Sequence, residues 1–170
     1  MSNRLIFLVF LFTVVHTVAA QNCQTSNITA STPTSQFTDN RDGTVSDTVT
    51  GLMWKRCAEG MNWDGVSCSD NASFFTWSNA LQQAAASGYA GKADWRLPNI
   101  KELRSIVERQ CSDPSINLSV FPNTPSSYFW SGSPVAGDSS SAWSVSFGNG
   151  YASWDGRYFG SAVRLVRGGQ

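Results

Sequence analysis

The residues of this 170-residue chain that could carry chemistry are one histidine, four cysteines, scattered carboxylates and a late cluster of aromatic rings. The histidine, His16, lies inside MSNRLIFLVFLFTVVHTVAA, and none follows it. A Ser-His-Asp or Cys-His relay needs an imidazole, and the usual zinc sites need one or free thiolates. Asp64, Asp94, Glu102, Asp138 and Asp155 show no spacing that singles out a pair for glycoside hydrolysis. The residues therefore point away from an enzyme, with no catalytic residue, metal site or cofactor expected.

The aromatic cluster is a different kind of feature. In NGYASWDGRYFG, from Asn149 to Gly160, large rings alternate irregularly with small and polar residues. No helical or strand period organises it. Rigid rings give contact area at low entropic cost, and small polar side chains adapt around a ligand. This is the composition of a binding surface, and Asn149, Tyr151, Ser153, Trp154, Asp155, Arg157, Tyr158 and Phe159 are its expected contact residues. The opposing reading is that Trp154 or Phe159 plugs a gap beneath a sheet. Trp54, Trp77, Trp95, Trp130 and Trp143 read as core.

Several elements have to position that stretch. Arg4, an apolar run to Val15 and Val18-Ala19-Ala20 predict a signal peptide over 1–20, cleaved after Ala20. No later run is apolar enough to span a membrane, so no insertion is expected after cleavage. Arg4 is the only charged residue removed with it, and the 12 basic and 12 acidic residues are otherwise in balance. Such a chain has no basic field for nucleic acid. An even number of cysteines in an exported chain predicts disulfides. Cys57 and Cys68 bracket a short polar loop and are expected to pair, which leaves Cys23 to tie the arm 21–34 to Cys111.

The domain proper is expected over 35–170. Asn40-Arg41-Asp42-Gly43 between alternating stretches predicts a hairpin, with glycine at a position needing positive φ. A calcium-loop register on Gly43 would put Val49 where a glutamate is required, so a turn is expected there. Thr76 caps a first helix whose buried face is Trp77, Ala80, Leu81, Ala84 and Ala85. Asn99 and Glu102 form a capping box for a second, with Leu103, Ile106 and Val107 inward and Lys101, Glu102, Arg104 and Glu108 in water. SYFWSGS, SAWSVSF and SAVRLVR follow as strands. In the second, Trp143, Val145 and Phe147 face inward, and in the third the arginines reach outward. Two helices, an antiparallel sheet and an N-terminal hairpin make an α+β fold.

FTDNRDGTVSDTVTGLMWKRC, DWRLPNIKEL, SINLSVFPNTP, FWSGSP, AWSVSF and VRLVRG, in this order, resemble the C-terminal domain family of the Legionella collagen-like protein, over Phe37 to Gly168. The family's Asp-Asn-Gly-Asp-Gly turn stands here with Arg41 at its centre, and its Tyr-Trp-Ser-Ser-Ser-Pro as Phe129 to Pro134. No collagen-like repeat precedes Phe37. The resemblance implies a bacterial, C-type-lectin-like domain, with adhesion and sulfated glycans associated with the founding member. Relatives of the fold include targets of diversity-generating retroelements and the cysteine-dependent formylglycine-generating enzymes. Together these readings predict a lectin-like or adhesin-like binder, secreted, periplasmic or at the cell surface. Its partner would be an extracellular glycan or surface protein. A structural subunit of a surface assembly is the alternative.

Overall fold

The computed structural model describes residues 20–168. The expected signal peptide lies almost wholly outside them. In chain order the elements are β1 (Asn22–Cys23), β2 (Phe37–Asp39), β3 (Thr44–Asp47), β4 (Met53–Lys55), β5 (Asn62–Trp63), β6 (Cys68–Ser69), α1 (Trp77–Ala85), α2 (Ile100–Ser105), β7 (Cys111–Ser112), β8 (Tyr128–Val135), β9 (Asp138–Ser146), β10 (Ala152–Gly156) and β11 (Val166–Arg167). Two sheets dominate, a four-stranded β11-β4-β3-β2 and a three-stranded β10-β9-β8, with β1-β7 and β5-β6 as short ribbons. All named strand pairs are antiparallel. This is the mixed α and β architecture expected.

The β2-β3 hairpin turns where its sequence says. Gly43 has φ +80°, a left-handed conformation that strains other residues, and a Cβ there would meet the Tyr89 hydroxyl and the Trp63 ring, so the turn favours glycine. The Asp39 and Asp42 carboxylates accept from the backbone N–H groups of Arg41 and Thr44 at 2.8 and 3.0 Å, an arrangement that closes the turn.

Thr76 caps α1 by accepting from the Asn79 N–H. The buried face is narrower than its sequence implies. Ala80 and Ala84 are buried and Trp77 is half-buried, but Leu81 and Ala85 face out. Small side chains let this helix lie close on β8, so a thin stripe suffices. In α2 the capping box forms, and Glu102 also grips Arg96 through two bonds of 2.7 and 2.8 Å. Leu103, Ile106 and Val107 are buried as expected, but Glu108 is not in water. It accepts from the backbone N–H groups of Ser31, Thr32 and Gln110 at 2.8–3.0 Å and so clamps the N-terminal arm.

That arm is also held by β1-β7 pairing and the Cys23–Cys111 disulfide, while Cys57–Cys68 closes the loop through β5 and β6. Both expected bridges are present. They indicate an oxidising, extracytoplasmic environment. No helix among the described residues is long and apolar enough to cross a membrane.

The core has two clusters separated by β8. Phe129 packs with Trp54, Leu103, Phe121, Val145 and Phe147, whereas Trp130 packs with Ala80, Trp95, Leu97 and Leu165. Consecutive strand residues point to opposite faces, so two adjacent fully buried aromatics mean a strand covered on both sides. SAVRLVR does not form one strand beside β9. Ala162 bridges Phe129 in parallel, the carbonyls of Val163 and Leu165 accept from Glu59 and Lys55, and only Val166–Arg167 pairs regularly, with β4. The segment thus stitches the two sheets together. Arg164 points inward rather than out, and its side chain is fully buried. Its guanidinium donates to the carbonyls of Lys55 and Arg56 and, at 2.6 Å, to the Thr124 hydroxyl, and it lies 4.8 Å over the Phe121 ring. Burial pushes it down to about 9.

Candidate functional site

The stretch 149–160 contains a strand that its composition conceals. Ala152 to Gly156 form β10, the outer strand of its sheet, in register with β9. Gly150 makes the turn possible. Its φ is +77°, and a Cβ would approach Val107 to 2.7 Å, so the turn is pressed against the segment that follows α2. The Asn149 side chain accepts from the Tyr151 N–H at 3.1 Å, which gives this exposed residue a part in shaping the turn.

Pairing fixes where each side chain goes. Ala152, Trp154 and Gly156 share one face of β10, and Ser153 and Asp155 take the other. Trp154 stands opposite Trp143. Trp143 is therefore corrected from core to half-buried neighbour of the row. It shares a face with Val145, but the apolar cover ends at Val145 and Phe147. Among the five tryptophans expected inside, Trp54, Trp95 and Trp130 are buried, and Trp77 is half-buried.

The large rings of the stretch are outside. Tyr151 is 72% exposed, Trp154 58%, Tyr158 73% and Phe159 46%. None plugs the sheet. They do not form one flat patch either. Tyr151 and Asn149 share a shallow cleft with Arg109 and the arm residues Asn22 and Gln24. Tyr158 and Phe159 stack at 4.2 Å between centroids, past the far end of β10. Trp154 lies between these two ends. The result is a row of rings along the edge strand.

Arg157 is held within the protein. Its Nε donates to the Ser141 carbonyl at 3.0 Å, its guanidinium lies 4.2 Å over the Trp77 ring, and its carbonyl accepts the first N–H of α1. It braces the hairpin against the helix. Asp155 is exposed, with Oδ1 accepting from the Gly156 N–H at 2.7 Å. Asp138 is held at about 2 by side-chain hydrogen bonds from Ser140 and Ser141.

Two exposed aromatics escape the sequence reading. Phe74 is 55% exposed, and its Cβ lies 3.4 Å from where a Cβ on Gly160 would sit, beside Phe159. A signal was present in SFFT, because only one of two adjacent phenylalanines in an extended segment can face a core. Tyr128 is opposite Ser146, which donates to the Tyr151 carbonyl, so it flanks the other end of the row. A cleft of about 610 Å³ lies elsewhere, between Met61, Cys68, Pro114 and Leu118, and takes no residue from the row.

Among the described residues no cysteine is free, and no three His, Cys, Asp or Glu side chains gather to hold a metal. The fold and this edge together define a disulfide-tied α and β domain that displays aromatic rings from a β-hairpin. The chain belongs to the Lcl C-terminal domain family, whose model matches residues 43–167. Comparison with curated proteins gives no match.

Proposed function

We propose that this domain is a C-type-lectin-like binding module, exported and either secreted or displayed at a surface. It holds an extracellular glycan or surface protein along the β10 edge. The observation that carries this is the exposure of Tyr151, Trp154, Tyr158 and Phe159, flanked by the exposed Phe74 and Tyr128, in a domain that buries Trp54, Phe121, Phe129, Trp130 and Phe147. Several large rings exposed along one edge, two of them stacked on each other, mark an interaction surface. Binding rather than catalysis fits a chain with no histidine after His16 and with its thiols in disulfides.

The test is a glycan and surface-protein array probed with the disulfide-bonded protein and with Trp154→Ala and Tyr158→Ala. Both variants should lose binding while stability changes by no more than about 0.5–1 kcal/mol. Trp130→Ala is the control for a core ring and should cost about 3–5 kcal/mol. If the two edge variants destabilise as much as Trp130→Ala, the row is structural and the proposal fails. Concentration-dependent self-association abolished by the same variants would favour an assembly subunit instead.

A further inference from the structure

We infer that the Asp155-Gly156 pair is a self-modification site, where the chain converts spontaneously to isoaspartate through a succinimide ring. The chemistry needs an Asp or Asn before a glycine, because a residue without Cβ leaves its backbone nitrogen open to the preceding side-chain carbonyl carbon. The chain has four such pairs, Asp42-Gly43, Asp64-Gly65, Asn149-Gly150 and Asp155-Gly156. By residue type alone Asn149-Gly150 is the most reactive, since a neutral carboxamide is a better electrophile than a carboxylate. The folded geometry reverses that order. The Asp42 Oδ1 accepts from the Thr44 N–H at 3.0 Å, the Asp64 Oδ1 from those of Val66 and Ser67 at 2.8 and 2.7 Å, and the Asn149 Oδ1 from that of Tyr151 at 3.1 Å. Each of these three side chains is turned past the glycine that follows it. Asp155 alone of the four faces its own glycine, with Oδ1 2.7 Å from the Gly156 nitrogen.

The nitrogens differ as well. Gly150 donates its N–H to the Ser146 carbonyl at 2.7 Å, and that bond has to break before its nitrogen can attack. Between β9 and β10 the Tyr151 carbonyl accepts from the Ser146 N–H, and the Arg157 N–H donates to the Ser140 carbonyl. Bonding positions alternate along an antiparallel pair, so the Gly156 N–H points away from β9 and no ladder bond restrains it. The Gly156 nitrogen attacks the carbon of the neutral Asp155 carboxyl. An N–C bond forms, a C–O bond breaks, and the departing hydroxyl leaves as water with the amide proton. Solvent water then adds to either carbonyl of the ring. Opening one C–N bond restores aspartate, and opening the other leaves isoaspartate, whose main chain runs through the side chain and is longer by one methylene. That methylene falls at the last pair of β10, Gly156 with Ser141, just before Arg157. Resting on the binding role of the edge, this makes Asp155 the point at which an aged domain loses the seat of Arg157 on the Ser141 carbonyl, and with it the placement of the stacked Tyr158 and Phe159.

The experiment incubates the disulfide-bonded protein and its reduced, denatured form side by side at neutral pH. Isoaspartate is located by isoaspartyl methyltransferase labelling and peptide mapping, and conversion of Asn149 by the mass gained when a carboxylate replaces its carboxamide. In the denatured chain Asn149 should convert first. In the folded protein isoaspartate should gather at Asp155, with Asn149 slowed at least ~10-fold relative to the denatured chain, because its reaction waits for local opening. Asp155→Glu, which would have to close a larger ring, should remove the folded-state signal. In the isoaspartyl fraction, hydrogen exchange at the Arg157 N–H should quicken at least ~10-fold as its bond to Ser140 loosens. Conversion of Asn149 ahead of Asp155 in the folded protein, or equal conversion at Asp42, Asp64 and Asp155, would overturn the inference. Unchanged exchange at Arg157 would keep the site and reject its effect on the edge. None of these readouts needs a ligand, so the site stands or falls apart from the binding role of the edge.

Discussion

At the scale of single residues, the least expected finding is two buried charged side chains, each holding a different part of the chain. Glu108 is opposed by burial, which pushes its carboxyl up. The N–H groups of Gln110, Ser31 and Thr32 outweigh that and hold it below the ordinary value of 4.5. A carboxylate with a depressed folded value contributes stability above the unfolded value and loses it as pH falls through the folded one. Glu108→Gln should therefore be less stable than wild type at pH 7, with the gap narrowing below pH 4.5, as denaturant titrations at several pH values will show. Arg164 anchors three acceptors through the fixed fork of a guanidinium. A lysine keeps the charge and loses the fork, leaving buried acceptors unpaired. Arg164→Lys should lower stability by roughly 2 kcal/mol or more, read as a shift in the denaturant midpoint. Neither role was legible in the sequence. The alternation in AVRLVR assigns arginine outward by default, because hydropathy alone cannot see carbonyls waiting in the core, and Glu108 looked like one more charge on a solvated helix face.

At the scale of elements, what the sequence revealed were features written in local chemistry. The hairpin at Asn40–Gly43, the Thr76 cap and the Asn99–Glu102 capping box depend on neighbours a few residues away, and each is where its motif places it. β10 was missed for the converse reason. Ala-Ser-Trp-Asp-Gly has no alternation of its own, and the strand exists because β9 supplies a partner with matching register. Trp143 was misplaced along with it, since its exposure depends on where the core's cover stops. The disulfides were legible because an even count and one short loop constrain the pairing. They should differ in weight. The Cys23–Cys111 bridge has a sequence separation of 88 and Cys57–Cys68 one of 11. Chain-entropy arguments then give about 4–5 kcal/mol for the first and about 3 for the second. Paired Cys→Ala variants compared by thermal unfolding will check the order. If the short bridge matters more, strain or residual structure outweighs loop length.

For the whole molecule, β8 sets the cooperativity. One strand carries Phe129 into one cluster and Trp130 into the other, so neither cluster can loosen alone. Unfolding should be a single transition, coincident by far-UV circular dichroism and by tryptophan fluorescence. Two separated transitions would mean that the clusters are independent units. The fold class was readable from the succession of helix and strand patterns. The stitching role of 161–167 was not, because its hydrogen bonds reach back across more than a hundred residues to β4.

That reach sets the order in which the protein can mature. A growing chain carries β4, Glu59 and the β2-β3 hairpin early, but the carbonyls of Val163 and Leu165 that bind them, and the Arg164 side chain that crosses behind them, come more than a hundred residues later. Until Ser161 to Arg167 are made, β4 has an open edge and the N–H groups of Lys55 and Glu59 lack the carbonyls they bind. The hairpin sheet therefore lacks its fourth strand until this segment is made. Its completion rests on contacts of high sequence separation, the kind that form slowly because a long loop must close before they reward it.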